Sequence, residues 1–93
     1  MTLDIISPEA TLFSGEVTAV TLPGVDGSFQ ILNHHAPIVS ILTEGIVKIQ
    51  ANGFHFAKDV AGKFIKIDEK TYSLAISSGT IEMNDNKVIV LVD

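Results

Sequence analysis

The chain has 93 residues, with six lysines, no arginine, eleven acidic residues and a net charge of −5. It therefore lacks the positive field and the planar guanidinium forks that grip a phosphate backbone, which argues against nucleic-acid binding. Zero cysteines exclude a disulfide framework, a thiolate nucleophile and a thiolate metal site.

Ile, Val and Thr supply 28 residues, and these stiff side chains favour pleated, half-buried surfaces over helices. One compact domain over residues 1–93 is expected, since a chain of this length buries roughly 60–65% of its unfolded surface and has no room for a second core. A hydrophobic share of 46% leaves apolar surface for a partner. Met1 is followed by a strand pattern containing Asp4, not by a basic-then-apolar leader, and no apolar run approaches the ~20 residues that span a bilayer. A soluble, unexported chain is the expectation.

Turn signals recur along the whole sequence, beginning with Ser7-Pro8-Glu9 and Ser14-Gly15. Short strands must lie between them, in the spacing of an antiparallel sandwich or barrel. The segment from Leu22 to Ser28 must reverse direction: Pro23 presets φ, Gly24 and Gly27 supply positive φ, and Asp26 bonds its own following backbone. The strand after it places Phe29 and Ile31 on one face and Ser28 and Gln30 on the other. Asn52-Gly53 reads as a two-residue type I′ turn that pairs residues 45–51 with 54–58. Further on, Tyr72, Leu74 and Ile76 share a face, as do Ile81 and Met83. Residues 88–92 are apolar on both faces, which suits a central strand or one covered by a partner.

The predicted fold is thus all-β, a two-layer antiparallel β-sandwich of about eight to ten short strands. Its expected core is Ile5, Phe13, Val17, Phe29, Ile31, Val47, Ile49, Phe56, Leu74, Ile76, Ile81, Val88 and Val90. No stretch is long and amphipathic enough for a helix.

Little in the chain looks reactive. His34-His35 with Asp26 is the one metal or acid–base candidate, but adjacent residues of an extended loop point to opposite sides and no third strong ligand stands at a usual spacing. Ser14-Gly15-Glu16 and Ser77-Ser78-Gly79 lack the nucleophile elbow and its strand-to-helix setting. Gly15, Gly24 and Gly27 are not spaced as a phosphate loop. No catalytic residue, no cofactor, no metal and no bound nucleotide are expected.

Three segments carry a resemblance: Leu3-Asp4-Ile5-Ile6-Ser7-Pro8-Glu9 with Leu12-Phe13-Ser14-Gly15-Glu16-Val17; Leu22 through Pro37; and Ile76-Ser77-Ser78-Gly79-Thr80-Ile81-Glu82-Met83 with Asn86-Lys87-Val88-Ile89-Val90-Leu91-Val92-Asp93. In this order they resemble the epsilon subunit of the F-type rotary ATP synthase, in a short form limited to the N-terminal β-sandwich. Where that family usually reads Gly-Ile-Leu-Pro-Gly-His-Ala-Pro, this chain has Gln30, Asn33 and His34 at the first Gly, the Pro and the second Gly. Residues 51–71 look longer than the family's usual hairpin. The sequence ends at Asp93, where many members continue into a helical hairpin, so that hairpin and its inhibitory role are expected to be absent.

The resemblance implies a non-catalytic central-stalk subunit that couples the gamma shaft to the membrane c-ring in proton-driven ATP synthesis. Such a subunit is peripheral to the membrane, on the cytoplasmic side of the bacterial plasma membrane. It places Ser28, Phe29, Gln30, Asn33, His34 and His35 at the c-ring. For the gamma contact, the surplus apolar residues Ile81, Met83, Ile89 and Leu91 are expected. The alternative is a free-standing β-sandwich adaptor or ligand-binding module that recognises its ligand through the central loop.

Overall fold

The computed structural model describes all of residues 1–93, as ten strands and one short 3-10 turn. The strands are β1 Thr2–Ile6, β2 Thr11–Glu16, β3 Ala19–Gly24, β4 Gly27–Leu32, β5 Ile38–Leu42, β6 Gly45–Gln50, β7 Phe64–Asp68, β8 Thr71–Ile76, β9 Gly79–Asn84 and β10 Lys87–Val92. They form one hydrogen-bonded sheet in the order β2-β1-β10-β9-β5-β3-β6-β8-β7, with β4 paired to β3. The two halves of this path touch through a single strand pair, Gly24 with Leu42. There the sheet folds over and becomes two packed layers, the all-β architecture that the turn spacing predicts.

The close packing at this fold has a local cause. A Cβ on Gly45, which begins β6 after the crossing at Thr43-Glu44, would lie 2.7 Å from the Pro23 Cβ. On the other crossing, Ser77-Ser78, a Cβ on Gly79 would lie 2.4 Å from the Leu91 carbonyl oxygen. Neither approach leaves room for a side chain.

One pairing departs from an antiparallel sandwich. β1 runs parallel to β10, with Leu3 opposite Val88 and Ile5 opposite Val90. Parallel neighbours need a long crossover; here almost the entire chain supplies it, so no local signal announces the pair.

Both layers turn their alternate side chains into one core of 22 buried residues. Leu3, Ile5, Val20, Leu22, Ile31, Val47, Ile49, Val88 and Val90 are among the most enclosed. Of the expected core, Phe29 and Phe56 are half-buried and pack against the cluster, while the others are buried. β10 is flanked by β1 and β9, as a strand apolar on both faces should be.

The Asn52-Gly53 hairpin does not form. β6 already has β3 on one side and β8 on the other, so no edge remains for residues 54–58, which run as an irregular segment. The positive φ values appear instead at Asp85 and Asn86, 51° and 59°, in the two-residue turn that joins β9 to β10. Two left-handed residues are the type I′ signature, and Asn and Asp tolerate that region better than most residues.

The freed segment closes the seam between the outermost strands. Phe54 and Phe56 stack at 5.7 Å between centroids, and Phe56 lies 5.7 Å from Phe13 of β2, 4.3 Å from Phe64 of β7 and 4.9 Å from Tyr72 of β8. Tilted and offset rings at these distances add to plain burial. Phe56→Ala is therefore expected to destabilise the domain by about 2–4 kcal/mol, read by urea denaturation; a loss below ~0.5 kcal/mol would show that the plug is dispensable.

The β7–β8 turn is held by Asp68, whose Oδ1 accepts the Lys70 N–H at 2.9 Å. That bond, with help from Thr71, holds the carboxyl below the usual aspartate value. A depressed carboxyl stabilises the fold at neutral pH, and the contribution is lost as pH falls through its folded value.

Candidate functional site: an apolar sheet face beside a polar loop

Strand register decides which apolar side chains reach the outside. Across β1, β10, β9 and β5 one row reads Ile6, Leu91, Thr80, Ile41, and the next reads Asp4, Ile89, Glu82, Val39. These rows face outward because their strand neighbours Ile5, Val90 and Ile81 point into the core. Val39 is 78% exposed, Ile41 64% and Leu91 50%, with Ile6 and Ile89 half-buried beside them. Five apolar side chains thus share one surface, with Glu82 between Ile89 and Val39 and Asp4 beside Ile89.

This placement corrects part of the expected gamma contact. Ile81 and Met83 are each 1% exposed and belong to the core, so they have no surface to offer. Ile89 and Leu91 do lie on the outer face, beside Val39, Ile41 and Ile6. The missed residues follow directly from register: a side chain on β5 joins Leu91 only because β9 lies between the two strands, and no spacing in the sequence encodes that neighbour.

The residues expected at the c-ring lie along β4 and the loop after it. Ser28, Gln30, Asn33, His34 and His35 are exposed and Phe29 is half-buried. They do not form a single cluster, since Ser28 and Phe29 sit beside the β3–β4 turn while Asn33 to His35 lie at the far end of the strand. The loop end is tied down at two points. Asn33 Oδ1 accepts from the Met1 ammonium, that ammonium also donates to the Val17 carbonyl at 3.3 Å, and His34 N–H donates to Asn86 Oδ1 at 2.7 Å. The loop is thereby joined to the β9–β10 turn and to the start of β1. Its last residue, Pro37, leads directly into β5 and the apolar face.

His34 adopts φ 63°. In a histidine this left-handed backbone costs on the order of 1 kcal/mol relative to glycine. His34→Gly is expected to stabilise the domain by roughly 0.5–1 kcal/mol in chemical denaturation, the main-chain bond to Asn86 being kept.

The chemistry of a metal centre is not assembled. Asp26 sits in the turn at the opposite end of β4 from His34 and His35, and no three His, Asp or Glu side chains converge in a way that could hold an ion. No helix is long and apolar enough to cross a membrane.

Comparison with known proteins places this geometry in context. The profile of the family described as ATP synthase, Delta/Epsilon chain, beta-sandwich domain matches residues 1–93. An ATP synthase epsilon chain of Chlorobium limicola is 36% identical over 91 residues, covering 98% of this chain and 86% of that protein. The ATP synthase epsilon chain of Campylobacter fetus is 39% identical over 92 residues, covering 98% of this chain but 59% of that one. Among solved structures, a chain of the Tetrahymena thermophila mitochondrial ATP synthase central stalk and c-ring superposes with a TM-score of 0.69 at 19% identity, over 98% of this chain and 61% of that chain. The chain thus spans most of one relative and little more than half of the other.

Proposed function

We propose, from the premise that this chain belongs to the β-sandwich family of ATP synthase delta and epsilon chains, that it is a non-catalytic central-stalk subunit coupling the gamma shaft to the membrane c-ring in proton-driven ATP synthesis. The observation that carries this reading is the exposed apolar face formed by Ile6, Val39, Ile41, Ile89 and Leu91. An exposed apolar cluster of this kind, interrupted only by Thr80 and Glu82, marks a surface that a partner covers, and gamma is the partner that the family membership favours.

The role asks for stiffness more than chemistry. Interstrand hydrogen bonds run through one continuous ten-stranded sheet, and the two layers close on a packed core. A load applied at the apolar face then reaches the loop end with little deformation, because close-packed interiors have low compressibility. The ring contact is assigned to Ser28, Phe29, Gln30, Asn33, His34 and His35. Gamma would take the apolar face next to it, the two surfaces being joined where Pro37 enters β5. In the assembled enzyme the domain would sit peripheral to the membrane on its cytoplasmic side.

Co-purification with a gamma subunit tests the stalk reading, and failure to form that complex ends it. The ring contact has its own test. The chain contains no cysteine, so a single cysteine introduced by Ser28→Cys or His35→Cys is a unique attachment point for a thiol-linked photo-activated cross-linker; cross-linking to a c-ring subunit is expected in the assembled enzyme, and cross-linking to gamma alone would move the contact elsewhere.

A further inference from the structure

The chain has four asparagines, at positions 33, 52, 84 and 86, and three of them are held in place. Asn33 Oδ1 accepts from the Met1 ammonium, Asn86 Oδ1 accepts the His34 N–H at 2.7 Å, and Asn84 ends β9 in register with Lys87. Each of the three is also followed by a residue with a bulky side chain, His34, Asp85 or Lys87. Asn52 is the exception: it is exposed, lies in the irregular segment after β6 and precedes Gly53.

The failed hairpin leaves this pair unrestrained. Main-chain bonds stop at Ala51, whose N–H reaches the Lys70 carbonyl at 3.0 Å, and resume only where the Val60 N–H meets the Ala57 carbonyl at 3.1 Å. The Gly53 N–H therefore donates to no carbonyl. Neither residue takes the positive φ that a type I′ turn would impose, and nothing lies within 4 Å of a Cβ placed on Gly53. Both line an open surface cavity with Met1, Glu16 and Asn33, which admits water and leaves space for a ring to form.

An unrestrained Asn-Gly pair has a chemistry of its own. With no side chain beside it, the glycine nitrogen reaches the asparagine Cγ over a wider range of backbone angles than any other residue permits. Once a solvent base removes its proton, the Gly53 nitrogen attacks Cγ of Asn52. The bond from Cγ to the side-chain nitrogen breaks, and that nitrogen leaves as ammonia with a proton from solvent. One water then opens the five-membered imide at either of its two carbonyls. Opening at one gives aspartate; opening at the other gives isoaspartate, whose main chain runs through the side-chain methylene and is one carbon longer. Amide and water have become carboxylate and ammonium, with no oxidant, reductant or cofactor.

We propose that Asn52-Gly53 is the preferred site of spontaneous deamidation in the folded chain, and that its isoaspartate product loosens the aromatic plug. The inference does not depend on the stalk reading. The altered main chain lies two residues before Phe54, whose ring sits 4.6 Å from Tyr72 and 5.7 Å from Phe56. Ala51 upstream is buried and bonded, so the extra carbon displaces Phe54.

The purified chain, held in warm, mildly alkaline buffer and peptide-mapped over time, tests this. Aspartate and isoaspartate should accumulate at position 52 at least roughly 10-fold faster than at 33, 84 or 86, a barrier lower by about 1.4 kcal/mol. Gly53→Ala, whose Cβ meets no neighbour, should keep the thermal midpoint and slow the reaction at least roughly 10-fold. The isolated isoaspartate form should melt roughly 5 °C below the Asn52→Asp variant, which carries the same added charge on a main chain of ordinary length. Equal rates at all four asparagines, or a rate unmoved by Gly53→Ala, overturn the site; equal midpoints overturn its link to the plug.

Discussion

Replacing Ile41 with aspartate is expected to abolish stable capture by gamma while leaving the domain folded. Ile41 is 64% exposed, so a carboxylate there stays solvated in the free chain and costs little, within about 0.5 kcal/mol for a surface change. In a complex the same carboxylate would be covered by apolar surface and stripped of water without a partner, a large penalty added to the lost apolar contact. Binding should weaken at least about 100-fold, the size of a hot-spot loss, and Leu91→Asp should behave alike. The measurement is titration calorimetry or pull-down with gamma, paired with circular dichroism of the free variants. Met83→Asp is the contrast: its side chain is enclosed, so that variant should fail by unfolding. Should Ile41→Asp and Leu91→Asp bind gamma as the parent does, the apolar face is not the gamma surface.

Gly79→Ala is expected to be among the most damaging single changes, although it adds one methyl group. The new Cβ would lie 2.4 Å from the Leu91 carbonyl oxygen, and the atom that must yield is main chain in the central strand β10. Neither partner can rotate away. Overpacking that moves backbone costs about 3 kcal/mol, which for a domain of this size lowers the thermal midpoint by on the order of 15 °C. Gly62→Ala serves as the control, because nothing lies within 4 Å of a Cβ at that position and its midpoint should barely move. Equal midpoints for the two variants would mean that the β8–β9 crossing is more adaptable than its geometry implies.

These two outcomes concern features with different visibility in the chain. Leu91 was expected at the gamma contact and Ile41 carried no expectation; only the pairing of β5 and β10 to opposite sides of β9 makes them neighbours. The reversal at Val25-Asp26 was legible, although of the residues expected to cause it only Gly27 takes a positive φ, 121°, while Pro23 and Gly24 are the last residues of β3. The alternation of Phe29 and Ile31 against Ser28 and Gln30 was legible because a period of two is a property of the backbone alone.

Asn52-Gly53 shows where local reading stops. As a dipeptide it is a better type I′ turn than Asp85-Asn86, yet the latter turns and the former does not. A hairpin needs a free edge as well as a willing turn, and β3 and β8 occupy both edges of β6. Ile81 and Met83 make the same point for the surface: their shared face was evident, but whether it looked inward was not.

By itself, then, the sequence determined that this chain would be a small all-β body with little reactive chemistry, because side-chain branching, turn residues and charge act over a few residues at a time. Which strands neighbour one another, that β1 and β10 run parallel, and which apolar side chains are left outside were decided only by the tertiary structure. Those choices depend on competition between distant segments for the same hydrogen bonds and the same core volume.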